Sequence, residues 1–287
     1  MSIEIDDLLA DFSVEMTGKD VAELWEARPY LPPGTRVNVA FLGNESLELR
    51  TAAAAAVKHA GLVPTPHVSA RRLESEDALT KFLAALQRES SSSHLFVVGG
   101  DPTAPEGPYE DALTLISAAP FVSYGVQTVS ISGYPEGHPD ISESDLWKAL
   151  EAKAKAITEQ GRQGDIITQF GFDAGHVIAW IEQVRARGIH WPIRVGVPGP
   201  AGIKRLLNYA RRFGVGASAA IARKYGFSLT NLLGTVGPER FLTDLAVRLD
   251  PKTHGLVRTH FYTFGGLRTT AEWVSAFTER APTRAHA

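Results

Sequence analysis

Residues 165–198 read DIITQFGFDAGHVIAWIEQVRARGIHWPIRVGVP, and the order of runs within them decides the fold. An apolar run at 165–172 gives way to a helical segment at 174–187, and a second apolar run follows at 193–198. In the middle segment Val177, Ile178, Ile181 and Val184 recur at three- and four-residue spacing, which is the pattern of a helix with one buried stripe. Strand, helix and strand in this order form a βαβ unit with its two strands parallel. The strands are nearly continuous in apolar residues, as expected when both faces are covered.

Working outward, six further runs have strand character: 11–17 (DFSVEMT), 36–42 (RVNVAFL), 63–69 (VPTPHVS), 94–99 (HLFVVG), 127–133 (QTVSISG) and 256–264 (LVRTHFYTF). The segment 201–213 is helical, with Ile203, Leu206, Leu207 and Ala210 on one stripe. Two more helices, at about 216–225 and 238–248, lengthen the connection between the seventh and eighth strands. The count predicts an α/β chain folded as a closed (β/α)8 barrel, one domain over residues 1–287, with extra helices between strands seven and eight. An open doubly wound sheet would show the same alternation. The length suffices, since a complete barrel needs roughly 250 residues.

Composition narrows the chemistry. The chain has no cysteine, which excludes disulfides, thiolate nucleophiles and iron–sulfur ligation and fits a reducing compartment. The N-terminus, MSIEIDDLLADF, lacks the layout of a secretion signal, and no apolar stretch reaches the ~18 residues of a membrane span. A net charge of −3 with dispersed basic residues argues against a nucleic-acid partner. The nine histidines show no HxH or HExxH spacing, so no metal site is expected. The expectation is a cytoplasmic enzyme acting on a small molecule. A homo-oligomer is compatible, because a helix face such as 201–213 could bury against another subunit or only against the barrel.

In a barrel the C-terminal ends of the strands face the active site. That rule selects Glu15, His67, Asp101, Tyr134, Glu136, His138, Gln169 and Phe172. Glu15 stands between Val14 and Met16, so desolvation is expected to raise its pKa and keep a proton available; a buried ion pair in the wall is the structural reading. Asp101 follows Gly99-Gly100, whose backbone can approach a ligand closely, although an Asp before Pro102 also caps turns. Ser132-Gly-Tyr-Pro-Glu-Gly-His-Pro139 is a stiff loop carrying a ring, a carboxylate and an imidazole, either for a site or to cross the barrel mouth. Gln169 offers one acceptor and two donors to a heterocycle edge, or satisfies core backbone. Phe172 could stack on a ring or simply pack. The glycine turn after 193–198 reads as an ordinary tight βα turn, without the spacing of a phosphate-binding fingerprint.

Together these residues resemble the methylenetetrahydrofolate reductase family. Gly133-Tyr-Pro-Glu-Gly-His-Pro139 and Ile167-Thr-Gln-Phe-Gly-Phe-Asp173 are the most specific pieces, and Val14-Glu15, Pro66-His67 and Gly99-Gly-Asp101 fall in the expected order. The resemblance runs from Phe12 to about Phe264 and looks like the short bacterial form without a regulatory domain. It implies reduction of 5,10-methylenetetrahydrofolate to 5-methyltetrahydrofolate, with NADH or NADPH passing hydride to FAD and FAD passing it to the folate in a ping-pong cycle. It further implies Glu15 as the acid that protonates the folate nitrogen, and Asp101, Gln169 and Phe172 at the pterin. His67, Gly100, Asp101, Tyr134, Glu136 and His138 would line the flavin, with Lys153 and Lys155 approaching its pyrophosphate. The family commonly has Arg where this chain has Gly99, and Phe-Phe-Phe-Asp where it has Phe170-Gly-Phe-Asp173. Two other readings are direct hydride transfer from NADH without flavin, and a folate-binding barrel that handles a one-carbon unit without redox chemistry.

Overall fold

The computed structural model describes residues 3–43, 45–212 and 235–280. Eight parallel strands close into a barrel: β1 (Ser13–Met16), β2 (Arg36–Val39), β3 (Val63–Ser69), β4 (His94–Val98), β5 (Thr128–Gly133), β6 (Gln163–Phe170), β7 (Ile193–Pro198) and β8 (Val257–Tyr262). Closure comes from β1, which pairs with β2 on one side and β8 on the other. All eight expected strands are present, so the open-sheet alternative is excluded.

The helices start where the sequence supplies a cap. Ser46, Ser75, Ser142 and Asp173 each accept a backbone N–H at the first turn of α3 (Leu47–His59), α4 (Glu76–Arg88), α6 (Glu143–Glu159) and α7 (Ala174–Ala186). Between α4 and α6 lies the shorter α5 (Ala112–Ala118), while α1 (Ile5–Leu9) and α2 (Val21–Ala27) flank β1. The long connection before β8 carries α8 (Ile203–Arg212), α9 (Glu239–Arg248) and the short α10 (Pro251–His254); α11 (Leu267–Arg280) follows β8. The helix expected at 216–225 lies outside the described residues. No helix among the described residues is long and apolar enough to cross a membrane.

Strand side chains alternate between the two faces of the wall. Val14, Val37, Val68, Val97, Ile131, Ile166, Val195 and Phe261 have no exposed surface and form the apolar layer between strands and helices. The opposite face turns inward and is polar. Arg36 on β2 reaches Asp165 on β6 at 2.7 Å, and strands so far apart in the ring meet only through the interior. Arg194 on β7 joins the same carboxylate at 3.3 Å and reaches Asp11 at 2.6 Å, so two guanidiniums and two carboxylates interlock near the barrel base.

One irregularity shapes the mouth. Between Ile167 and Phe170 the register of β6 against β7 shifts, which re-aims the residues that follow. Gly196 makes the shift fit: its N–H donates to Thr168 Oγ1 at 2.8 Å, and a Cβ there would stand 2.3 Å from the Thr168 carbonyl oxygen.

Candidate active site at the barrel mouth

Glu15 is third in β1 and points inward, with 23% of its side chain exposed. Its Oε2 lies 3.8 Å from His67 Nε2 on β3 and 3.8 Å from His260 Nε2 on β8. The carboxylate therefore sits between two imidazoles, and Thr263 Oγ1 fixes its backbone by donating to the Glu15 carbonyl at 2.7 Å. Each imidazole is itself held. Asn38 Nδ2 faces His67 Nε2 at 3.4 Å, and Ser13 Oγ faces His260 Nδ1 at 2.9 Å. Arg50, clamped between the rings of Phe41 (3.6 Å) and Phe82 (4.2 Å), donates to the His67 carbonyl at 3.3 Å. No three His, Asp or Glu among the described residues are arranged to hold a metal ion.

The expected rise in the Glu15 pKa is corrected by this setting. Burial pulls it up, but the facing imidazoles of His260 and His67 together outweigh burial, leaving the carboxyl below its ordinary value. Val14 and Met16, which prompted the expectation, point to the other face and pack against helices. Glu15 is thus held as a carboxylate when the site is open.

His67 responds oppositely. Burial pushes its pKa down to about 4, against a smaller pull upward from Glu15. A base with a lowered folded-state pKa is neutral in the native state while the unfolded chain takes up a proton below its value of about 6.5. Stability is therefore complete above pH ~6.5 and falls by up to about 3 kcal/mol as pH drops toward the folded value. Urea unfolding at pH 7 and pH 5 should show about 2 kcal/mol of this loss from His67, a share that His67→Gln should remove.

Asp101, after β4, has a side chain 70% exposed and is gripped by Arg72, whose Nε and Nη2 both bond its Oδ1 at 2.8 and 2.6 Å. Gly100 before it has φ +95°, and a Cβ there would lie 2.2 Å from Ser69 Oγ, so only glycine turns the chain this closely. In the loop after β5, Tyr134 and His138 stand edge to face at 5.4 Å, and burial raises the Tyr134 pKa. Glu136 Oε1 accepts the Phe172 N–H at 3.1 Å and ties this loop to the one after β6. Gly171 gives it room, since a Cβ there would lie 2.8 Å from that oxygen. The glycine in Phe-Gly-Phe-Asp thus has a structural cause. Gln169 is half-buried, with its Oε1 taking the Phe170 N–H at 3.1 Å. Phe172 is buried, edge-on to Phe170 at 5.8 Å, and packs there.

Beside the 134–139 loop, a cleft of about 660 Å³ runs between α6 and α7, lined by Tyr134, Glu136, His138, Trp147, His176 and Trp180. Lys153 and Lys155 are on the body of α6. They lie ten and twelve residues along α6, roughly 15–18 Å from its first turn. Lys155 is 75% exposed beside Glu159 at 3.8 Å. Lys153 is buried, and desolvation lowers its pKa to about 8 against a weaker pull from Asp111.

The structure therefore brings Glu15 and His67 into one cluster and sets Asp101, Tyr134, Glu136, His138 and Gln169 on loops and strand ends around it. Sequence reasoning missed Ser13, Asn38, Arg72 and His260. For all but Arg72 a signal existed: Arg258, His260 and Tyr262 place polar groups at every second position of β8, and Ser13/Glu15 and Arg36/Asn38 do the same in β1 and β2.

A closed (β/α)8 barrel with a carboxylate and flanking imidazoles at the C-terminal ends of its strands belongs to the class of barrels that work at this face. More narrowly, the chain belongs to the methylenetetrahydrofolate reductase family, whose model matches residues 19–225. Methylenetetrahydrofolate reductase 2 of Saccharomyces cerevisiae is 32% identical over 131 residues, 43% of this chain and 21% of that protein. Methylenetetrahydrofolate reductase 1 of Schizosaccharomyces pombe is 32% identical over 124 residues, 40% of this chain and 20% of that one. These matches span about a fifth of the length of both relatives. The solved structure of an uncharacterized Clostridium thermocellum protein that binds two copies of 5-methyl-5,6,7,8-tetrahydrofolic acid superposes with a TM-score of 0.62. It covers 96% of this chain and 97% of that one at 10% identity, a likeness of fold.

Proposed function

We propose that this chain reduces 5,10-methylenetetrahydrofolate to 5-methyltetrahydrofolate with hydride drawn from NADH or NADPH through FAD. The observation that carries the proposal is Glu15, a carboxylate held between two imidazoles at the open end of a barrel in this family. Opening the five-membered ring of the substrate requires a proton on the departing nitrogen, and Glu15 is the group placed to hold it. A folate that closes the mouth expels water, which adds to the burial that already raises this carboxyl and moves a proton onto it. Asp101 and Gln169 would present acceptor and amide groups to the pterin edge.

Tyr134, Glu136 and His138 adjoin a cleft of about 660 Å³, within the range that takes cofactor-sized ligands, so the loop residues fit a flavin. In this reading Tyr134, Glu136 and His138 would help hold FAD, which would supply the hydride relay between nicotinamide and folate. A second reading, direct transfer from NADH to folate, is favoured by Lys155, which faces solvent far along α6 and not the mouth.

An absorption spectrum of the purified protein, repeated after anaerobic NADH and then methylenetetrahydrofolate, separates these readings. A flavin spectrum that bleaches with NADH and returns with folate is the expected result. NADH loss that requires folate, without flavin, selects direct transfer. Neither flavin nor NADH loss, even after added FAD, contradicts a reductase and leaves a non-redox folate barrel.

A further inference from the structure

His260 lies inside the barrel behind Glu15, with no exposed surface. Its two ring nitrogens face different groups. Nδ1 is 2.9 Å from Ser13 Oγ, whereas Nε2 is aimed at Glu15 Oε2 from 3.8 Å and has no hydrogen-bond partner among the described residues. His67 stands equally far from the same carboxylate oxygen but is wired differently. Its Nε2 faces the amide nitrogen of Asn38, which can only donate, so this nitrogen accepts and presents no proton to Glu15. Ser13 Oγ can accept from His260 Nδ1–H, so a second proton carried by that ring sits on Nε2, on the side of the carboxylate.

We propose that His260 loads Glu15 with its proton: the ring keeps Nδ1–H toward Ser13, while Nε2 and the carboxylate share one further proton until folate covers the mouth. This rests on the reductase reading given above. On closure the His260 Nε2–H bond breaks and a Glu15 Oε2–H bond forms, turning imidazolium and carboxylate into neutral imidazole and carboxyl. Loss of water favours the neutral pair, because separated charges lose more solvation than neutral groups do. Glu15 then gives the proton to the folate nitrogen, and the pair regains one from solvent when the mouth reopens. The other titratable groups around the pair are His67 from β3 and Tyr262 from β8, with Arg50 behind His67 and Tyr134 beyond Tyr262. The Tyr262 ring stands edge-on to His260 at 4.9 Å.

The test compares His260→Gln, which keeps an N–H donor but cannot pass a proton on, with His260→Phe, which removes both nitrogens. With unfolding midpoints near wild type, both variants should lose kcat by roughly 100-fold while KM for folate stays within about threefold. The pH dependence of kcat should change in both. Wild-type kcat in His260→Gln would show that the residue only positions Glu15 and would overturn the proposal. So would an equal rise in KM with an unchanged pH profile. A second measurement needs no turnover: infrared titration of the Glu15 carboxyl in ligand-free protein, assigned by difference against Glu15→Gln. In His260→Phe burial acts with less opposition, so the carboxyl should take up its proton at higher pH than in wild type. An unchanged titration overturns the coupling. If wild type reduces no folate, the reductase reading fails while this titration still decides whether His260 and Glu15 share a proton.

Discussion

Glu15→Gln is expected to lower turnover of methylenetetrahydrofolate by roughly 1,000-fold while folate affinity stays within a few-fold of wild type. Glutamine keeps the size of the side chain and an acceptor oxygen between His67 and His260. What it lacks is an exchangeable acid proton. The effect falls on kcat because the proton is needed where the ring opens and not where folate first binds. In wild type the acid must carry its proton, so kcat falls as pH rises through the pKa of the closed complex, and this limb should vanish in the variant. Steady-state kinetics across pH, with folate binding followed by fluorescence quenching, checks both parts. Near-normal turnover in the variant would remove Glu15 from its role.

The second large effect is on stability. Asp165→Ala should destabilise the fold by about 3–5 kcal/mol, because removing one member of a buried ion group strands the others. Asp165 and Arg194 have side chains only 3% exposed, and Arg36 is 24% exposed. Burial and the neighbouring Arg194 already lower the Arg36 pKa, with Asp165 among the groups that oppose them. Without Asp165 two guanidiniums face each other inside the barrel, and the remaining carboxylate, Asp11, is half exposed and pairs with Arg194. Urea unfolding measures the loss, and folate reduction at low temperature should persist in the folded fraction. A change under 1 kcal/mol would mean that the cluster contributes little.

Most of the fold was legible because parallel strands write themselves as apolar runs between amphipathic helices. The run 63–69 forms a strand with those bounds, and 193–198 does too. The run 36–42 ends early at Val39, since Phe41 leaves the sheet to stack on Arg50. The site was legible only in part. Strand ends marked Glu15, His67, Tyr134 and Gln169, but neighbours in sequence misreported the surroundings of Glu15, because Val14 and Met16 point to the opposite face. Reading the inward set at i and i+2 would have found Ser13 and His260. The partnership of Arg72 with Asp101 could not be read this way, since it joins loops after two different strands through the fold alone.

The most direct test of the reductase reading is product analysis. Wild type and Glu15→Gln are incubated with methylenetetrahydrofolate and NADH or NADPH, with and without added FAD, and folates are resolved by mass. Accumulation of 5-methyltetrahydrofolate in stoichiometric balance with nicotinamide oxidised, in wild type and not in the variant, is the predicted result. Unchanged methylenetetrahydrofolate under every condition, from protein shown to be folded and to bind folate, would contradict it.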